Sequence, residues 1–223
     1  MKLTLLSGLL VPVLAAAQGA AVPPFAAEVR TVFDASSGLP ADDVFSVAAD
    51  DSGEPWAATA AGLVRYHAGR WSREGAAAAR VAASPRGVWF AADGALWRME
   101  GNAPRRRIAA LPPETRHIAG GESPLISAGD GLYRLAGGRL VRDTGLPAGE
   151  VRQAAIAADG SIAAASSNGL YLLRRGGAWR RLLPRTATRS WAPDDVRGVA
   201  FDSRGRLWFA SPQGAGCLDG AQW

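Results

Sequence analysis

Cysteine is almost absent: Cys217 stands alone in 223 residues, which excludes an intrachain disulfide and a thiol-rich metal site. Histidine is nearly as scarce. His67 and His117 are the only two, and they are not spaced as a ligand pair, so no zinc or other metal site is expected. Lysine occurs once, at Lys2; every other basic side chain is one of 24 arginines, set against 20 Asp plus Glu. An arginine-only surface suits carboxylate or sulfate recognition because its planar fork binds such groups bidentately; genomic base composition accounts for it as simply. Long apolar runs are missing beyond the first residues, and the Ala76 to Ala79 stretch is far too short to span a bilayer. No Gly-x-Ser-x-Gly elbow, phosphate-binding loop or dinucleotide fingerprint occurs. No catalytic nucleophile and base are therefore visible, and no cofactor is expected.

The first residues point to export. Lys2 precedes an apolar run from Leu3 to Leu14, and Ala15-Ala16-Ala17 supplies the small residues of a cleavage site near Gln18. Residues 1–17 thus read as a signal peptide and 18–29 as a linker. Gly8 and Pro12 interrupt the run, which argues against a permanent span, and no cysteine follows it to carry a lipid. The expected location is periplasmic or secreted. Export argues against nucleic acid as a partner for Arg105-Arg106-Arg107, which reads as a solvated loop between repeats.

What is present in abundance is repetition. Val44 precedes Gly62 by 18 positions, as Val151 precedes Gly169 and Val196 precedes Gly214. Trp56 and Trp208 each stand six before that glycine, with Ala163 as their equivalent, and Trp71, Trp179 and Trp223 close the three blocks. Two shorter copies lie between, around Gly94 and Gly131. Each block reads as short strands joined by tight turns, and Asp93-Gly94, Asp130-Gly131 and Asn168-Gly169 are two-residue hairpin signals. Steps of 32, 37, 38 and 45 between the repeat glycines suit a four-stranded propeller blade. The expected fold is all-β: a β-propeller of about five blades over residues 30–223, its toroid possible in an incomplete form. A Greek-key sandwich would not explain the constant spacing. Trp56, Trp89 and Trp208 are expected in the core between blades.

The pattern resembles the two-component regulator propeller repeat of extracytoplasmic sensor regions. It stands here as Gly38-Leu39-Pro40-Ala41-Asp42-Asp43-Val44 leading to Trp56 and Gly62-Leu63, again as Gly145-Leu146-Pro147 leading to Gly169-Leu170, and as Pro193-Asp194-Asp195-Val196 leading to Leu207-Trp208-Phe209. The fourth copy departs from it, with Ala157 for the turn aspartate and Ala163 for the tryptophan, and the third replaces the second strand by Pro124-Leu125-Ile126. The resemblance implies a non-catalytic sensor propeller, the front of a longer protein with a C-terminal signalling module. It also suggests that Arg30-Thr31-Val32-Phe33 is an outer strand closing the last blade.

Propeller geometry would bring one constellation together. Inter-blade connections carry Asp42-Asp43, Glu150 with Arg152, and Asp194-Asp195 with Arg197, near the first valine of each repeat. Repetition about an axis sets them at the channel mouth, with Trp191 as a stacking surface. They could hydrogen-bond an oligosaccharide or other polar small molecule, or merely cap turns and solvate the rim. Two alternatives stay open: an envelope scaffold that binds protein, and an enzyme, either a lyase using His117 or a glycoside hydrolase using Asp43, Glu150 and Asp195.

Overall fold

The computed structural model describes residues 32–101, 103–147, 149–183 and 194–223. The expected signal peptide and linker, Arg30, Thr31 and Trp191 lie outside the described residues. The chain divides into residues 1–32 and 33–223, and the second unit is described below.

It consists of five antiparallel sheets in sequence order. The first contains β1 (Val44–Ala49), β2 (Pro55–Thr59), β3 (Gly62–His67) and β4 (Arg70–Arg73). The second contains β5 (Arg80–Ser84), β6 (Gly87–Ala92), β7 (Ala95–Glu100) and β8 (Arg106–Ala110), and the third β9 (His117–Ala119), β10 (Leu125–Ala128), β11 (Gly131–Ala136) and β12 (Arg139–Arg142). β13 (Val151–Ile156), β14 (Ile162–Ser166), β15 (Gly169–Leu173) and β16 (Trp179–Arg181) form the fourth. The fifth has three strands, β17 (Gly198–Phe201), β18 (Leu207–Ser211) and β19 (Gly214–Leu218), and a single bridge from Asp219 to Gln222 begins a fourth. The expected β-propeller blades are present, and no sheet closes on itself.

Turn chemistry explains the hairpins. Asp93 and Gly94 both have positive φ, 50° and 67°, as a tight two-residue turn between β6 and β7 requires. The first turn of the repeat is the same in three copies: Asp50, Ala157 and Asp202 each donate their N–H to the carbonyl four residues on and accept from the glycine three residues on. In two of them the aspartate Oδ2 also accepts the indole N–H six residues later, Trp56 at 2.9 Å and Trp208 at 3.0 Å.

The second, third and fourth sheets each pack one face on the sheet before and the other on the sheet after. Trp56, Ala58 and Leu63 of the first meet Val81, Val88, Phe90 and Met99 of the second. The second offers Trp89 and Leu96 to Ile118 and Ile126 of the third. Leu125 and Leu132 meet Ala154, Ile162 and Tyr171 of the fourth, whose Ala163, Ala165 and Leu170 receive Val199, Leu207 and Phe209 of the fifth. Fully burying each large side chain stabilises the array by about 1.5–3 kcal/mol. Neighbouring sheets are also stitched directly: Ser46 Oγ accepts from Val81 N–H at 3.2 Å, and Trp89 donates its indole N–H to the Gly121 carbonyl at 2.8 Å. A Cβ at Gly120 would lie 2.0 Å from the Ala83 carbonyl, so only glycine lets the second and third sheets approach this closely.

Four expectations need correction. Trp208 is not a core residue: it is 42% exposed against 2% for Trp56, because no further sheet covers that face among the described residues. Arg106 and Arg107 do not lie in a loop but open β8, while Arg105 stacks over Trp97, 4.7 Å from the ring centroid. Phe33 packs edge-on against Tyr66 and Trp71 of the first sheet rather than completing the fifth. Pro124-Leu125-Ile126 does not remove the second strand of the third copy, since Leu125–Ala128 still pairs with β9 and β11.

Candidate functional site

Strand register aligns the five copies residue by residue. Val47, Val81, Ile118, Ala154 and Val199 occupy one position, each opposite the residue after the repeat tryptophan or its substitute. Two residues before them stand Phe45, Ala79, Arg116, Arg152 and Arg197; two earlier again stand Asp43, Ala77, Glu114, Glu150 and Asp195. In the first and fourth copies the inner strand shifts register between Val44 and Ser46 and between Val151 and Gln153. Phe45 and Arg152 are the extra residues at those bulges, and a bulge re-aims the side chain it carries.

In copies three to five this arrangement builds a ladder. Arg116 reaches Glu114 at 3.5 Å and Glu150 of the next sheet at 3.2 Å. Arg152 reaches Glu150 at 3.4 Å and contacts Asp195 of the sheet after it; Arg197 lies 3.6 Å from Asp195. Each arginine thus bridges its own copy's carboxylate and, where a next copy follows, that one's too. The carboxylates hold the Arg152 guanidinium protonated, its pKa raised against the opposing cost of burial.

The expected rim residues divide accordingly. Glu150, Arg152, Asp195 and Arg197 are brought together, but they satisfy one another. Asp194 pairs instead with Arg181 of β16, and Asp42 accepts the Ala35 N–H at 3.0 Å. Asp43 is exposed and its carboxylate has no partner among the described residues. Sequence reasoning missed Glu114, Arg116 and Phe45. Their signal was the repeat position itself, hidden because the third copy is short between inner strand and glycine.

Where the ladder lapses, a cleft opens. The lapsed positions Phe45, Ala77 and Ala79 line a cavity of about 610 Å³ together with Ala92, Leu111 and Pro112. Phe45 is 53% exposed. Arg80 and Asp93 add polar groups, and Arg80 Nε donates to the Arg116 carbonyl at 2.6 Å, joining cleft to ladder. A second cavity of about 640 Å³ is walled by inner strands of all five sheets and includes His117. Burial, assisted by the charge of Arg80, pushes the His117 imidazole down to about 4, so it is neutral near pH 7. Its Nδ1 is buried without a hydrogen-bond partner among the described residues. Among the described residues no group of three metal-ligating side chains converges, and no helix is long and apolar enough to cross a membrane.

No family model matches this chain, and no curated protein does. Solved structures do resemble it. The extracellular domain of a putative hybrid two-component system, BT3049 of B. thetaiotaomicron, superposes with a TM-score of 0.64 at 18% identity over 85% of this chain and 30% of its own length. Virginiamycin B lyase from Staphylococcus aureus gives 0.63 at 16% identity, over 83% of this chain and 70% of the lyase. YCF48 bound to D1 peptide gives 0.62 at 15% identity, over 86% of this chain and 67% of that one. The chain spans less than one third of the length of the extracellular domain it matches. At these identities the likeness is one of fold, shared by the extracellular domain of a putative two-component system, a lyase and a protein bound to a peptide.

Proposed function

We propose that this chain is a non-catalytic, exported ligand-binding propeller of the sensor kind, forming the N-terminal part of a two-component signalling protein. Its ligand is an oligosaccharide or similar polar solute with an apolar face, and the cleft beside Phe45 receives it. One observation carries this reading: the repeat positions form a self-satisfied charge ladder in three sheets, but in the other two the arginine is replaced by Phe45 and Ala79, and the cleft lies where they stand. An exposed aromatic ring flanked by Arg80 and Asp93 suits a sugar, which offers C–H groups to the ring and hydroxyls to the charged groups. Likeness to the extracellular part of a two-component system supports the sensor assignment.

Thermal unfolding across a panel of oligosaccharides and polar metabolites tests it. A ligand at 100 times its Kd stabilises the folded chain by about 2.7 kcal/mol. Phe45→Ala is expected to abolish that gain while leaving the unliganded melting temperature unchanged, since the ring is mostly exposed. A flat response across the panel, or a response indifferent to Phe45, overturns the reading. Conversion of a bound sugar or lactone, followed by mass spectrometry, would place the chain among enzymes instead.

A further inference from the structure

The uncovered face of the fifth sheet is one half of an interface whose other half can be read from the rest of the molecule. Trp208 occupies the repeat position of Trp56, which is buried beneath Val81, Val88, Phe90 and Met99 of the following sheet. Around Trp208 the same face carries Ala200, Ala210 and Cys217, the first two exposed and the third half-buried. Charge repeats the pattern. Arg116 and Arg152 each pair with the carboxylate of the next sheet, whereas among the described residues Arg197 has only its own Asp195, and its side chain is 66% exposed. The Asp219 to Gln222 bridge copies the pairing of His67 with Arg70 that starts β4.

We infer that the Trp208 face docks a further four-stranded blade of this same repeat. That blade presents an apolar face of the Val81–Phe90–Met99 kind to Trp208 and a carboxylate at the ladder position to Arg197. The occupant continues a series of four inter-sheet interfaces already formed within the chain. A second copy fits less well: two five-sheet arcs joined end to end would make ten blades, outside the range of about four to eight over which propellers close. One further blade, or two, stays inside it.

The test extends the full chain with its own second blade. Residues 72–111 are appended directly after Trp223, so that Ser72 follows Trp223 as it follows Trp71, in two versions: unchanged, and with Ala77→Glu in the appended copy to supply the ladder carboxylate. Trp208 emission is isolated as the difference between each protein and its Trp208→Phe variant. Docking shifts that emission to the blue and raises the melting temperature by about 5 °C; the Ala77→Glu version raises it further, and Arg197→Ala removes only this additional rise. An unchanged Trp208 emission, with the appended segment digested as unfolded chain, overturns the inference, because the same segment folds on the equivalent face of the first sheet. Concentration-dependent association of the unextended chain in light scattering, abolished by Trp208→Glu, also overturns it, by assigning the face to a second copy. None of these readouts depends on whether Phe45 binds a sugar.

Discussion

Asp50 and Trp56 stand six residues apart, and the hydrogen bond between them explains why the fourth copy lost both. With Ala163 in place of the indole donor, a carboxylate at position 157 would lack that partner; the backbone turn persists without it. Burial raises the Asp50 pKa, but bonds from Ser52, Trp56 and the Glu54 backbone outweigh this and hold it below the usual carboxylate range. Asp202 is held down likewise, chiefly by Trp208. Such carboxylates stabilise the fold above the unfolded aspartate pKa and cease to do so as pH falls through the folded value. The two tryptophans differ sharply in what they cover. In urea unfolding, Trp56→Ala is expected to cost about 3–5 kcal/mol, and Trp208→Ala less than about 1 kcal/mol. His117 works in the opposite sense to a paired histidine. Its folded pKa of about 4 lies below the ordinary 6.5, so the unfolded chain takes up the proton first. Stability should fall as pH drops from 6.5 towards 4, and His117→Asn should remove that part of the pH dependence, read from denaturation midpoints across the window.

At the scale of elements, the inner strands carry both packing and the charge ladder. Val47, Val81, Ile118, Ala154 and Val199 align the sheets, while the positions two and four residues earlier choose between charge and apolar surface. Arg152 is the centre of the ladder, touching carboxylates of two sheets. Its replacement by alanine is expected to lower stability by about 1–2 kcal/mol, more than an isolated surface pair because two carboxylates each lose one of their two partners at once. The loss should shrink in 1 M salt, where the Debye length is about 3 Å; parallel urea titrations at low and high salt check this. Hairpins such as Asp93-Gly94 were legible residue by residue, since positive φ at both positions is a local demand. The ladder was legible only in part. Glu150-x-Arg152 and Asp195-x-Arg197 are visible as a recurring pair, but that each arginine reaches forward to the next sheet follows from the spacing of sheets in space.

For the whole molecule, stability is a sum over sheets and the interfaces between neighbours. The second, third and fourth sheets are covered on both faces. The fifth is covered on one, and the first has a capped outer half, where Leu39 packs on Ala57 and Val64, beside an inner strand whose Val47 is 71% exposed. Amides of β17 to β19 should therefore exchange with solvent faster than those of β5 to β7 and β13 to β15, as measured by hydrogen exchange with mass spectrometry. Equal protection of all five sheets would show that the Trp208 face is covered in solution.

By itself the sequence determined the repeat, and through it the number of sheets, their strand order and the turns, because these depend on short-range patterns of apolar spacing and glycine conformation. It also marked the connections where Glu150, Arg152, Asp195 and Arg197 meet. Only the tertiary structure decided what those positions do. Whether a charge awaits a ligand or is consumed by a neighbour depends on which residues stand within about 4 Å across a sheet boundary, and whether a repeat tryptophan is core or surface depends on what covers it. Trp56 and Trp208 share one motif, and the difference between them lies wholly in the neighbouring sheet.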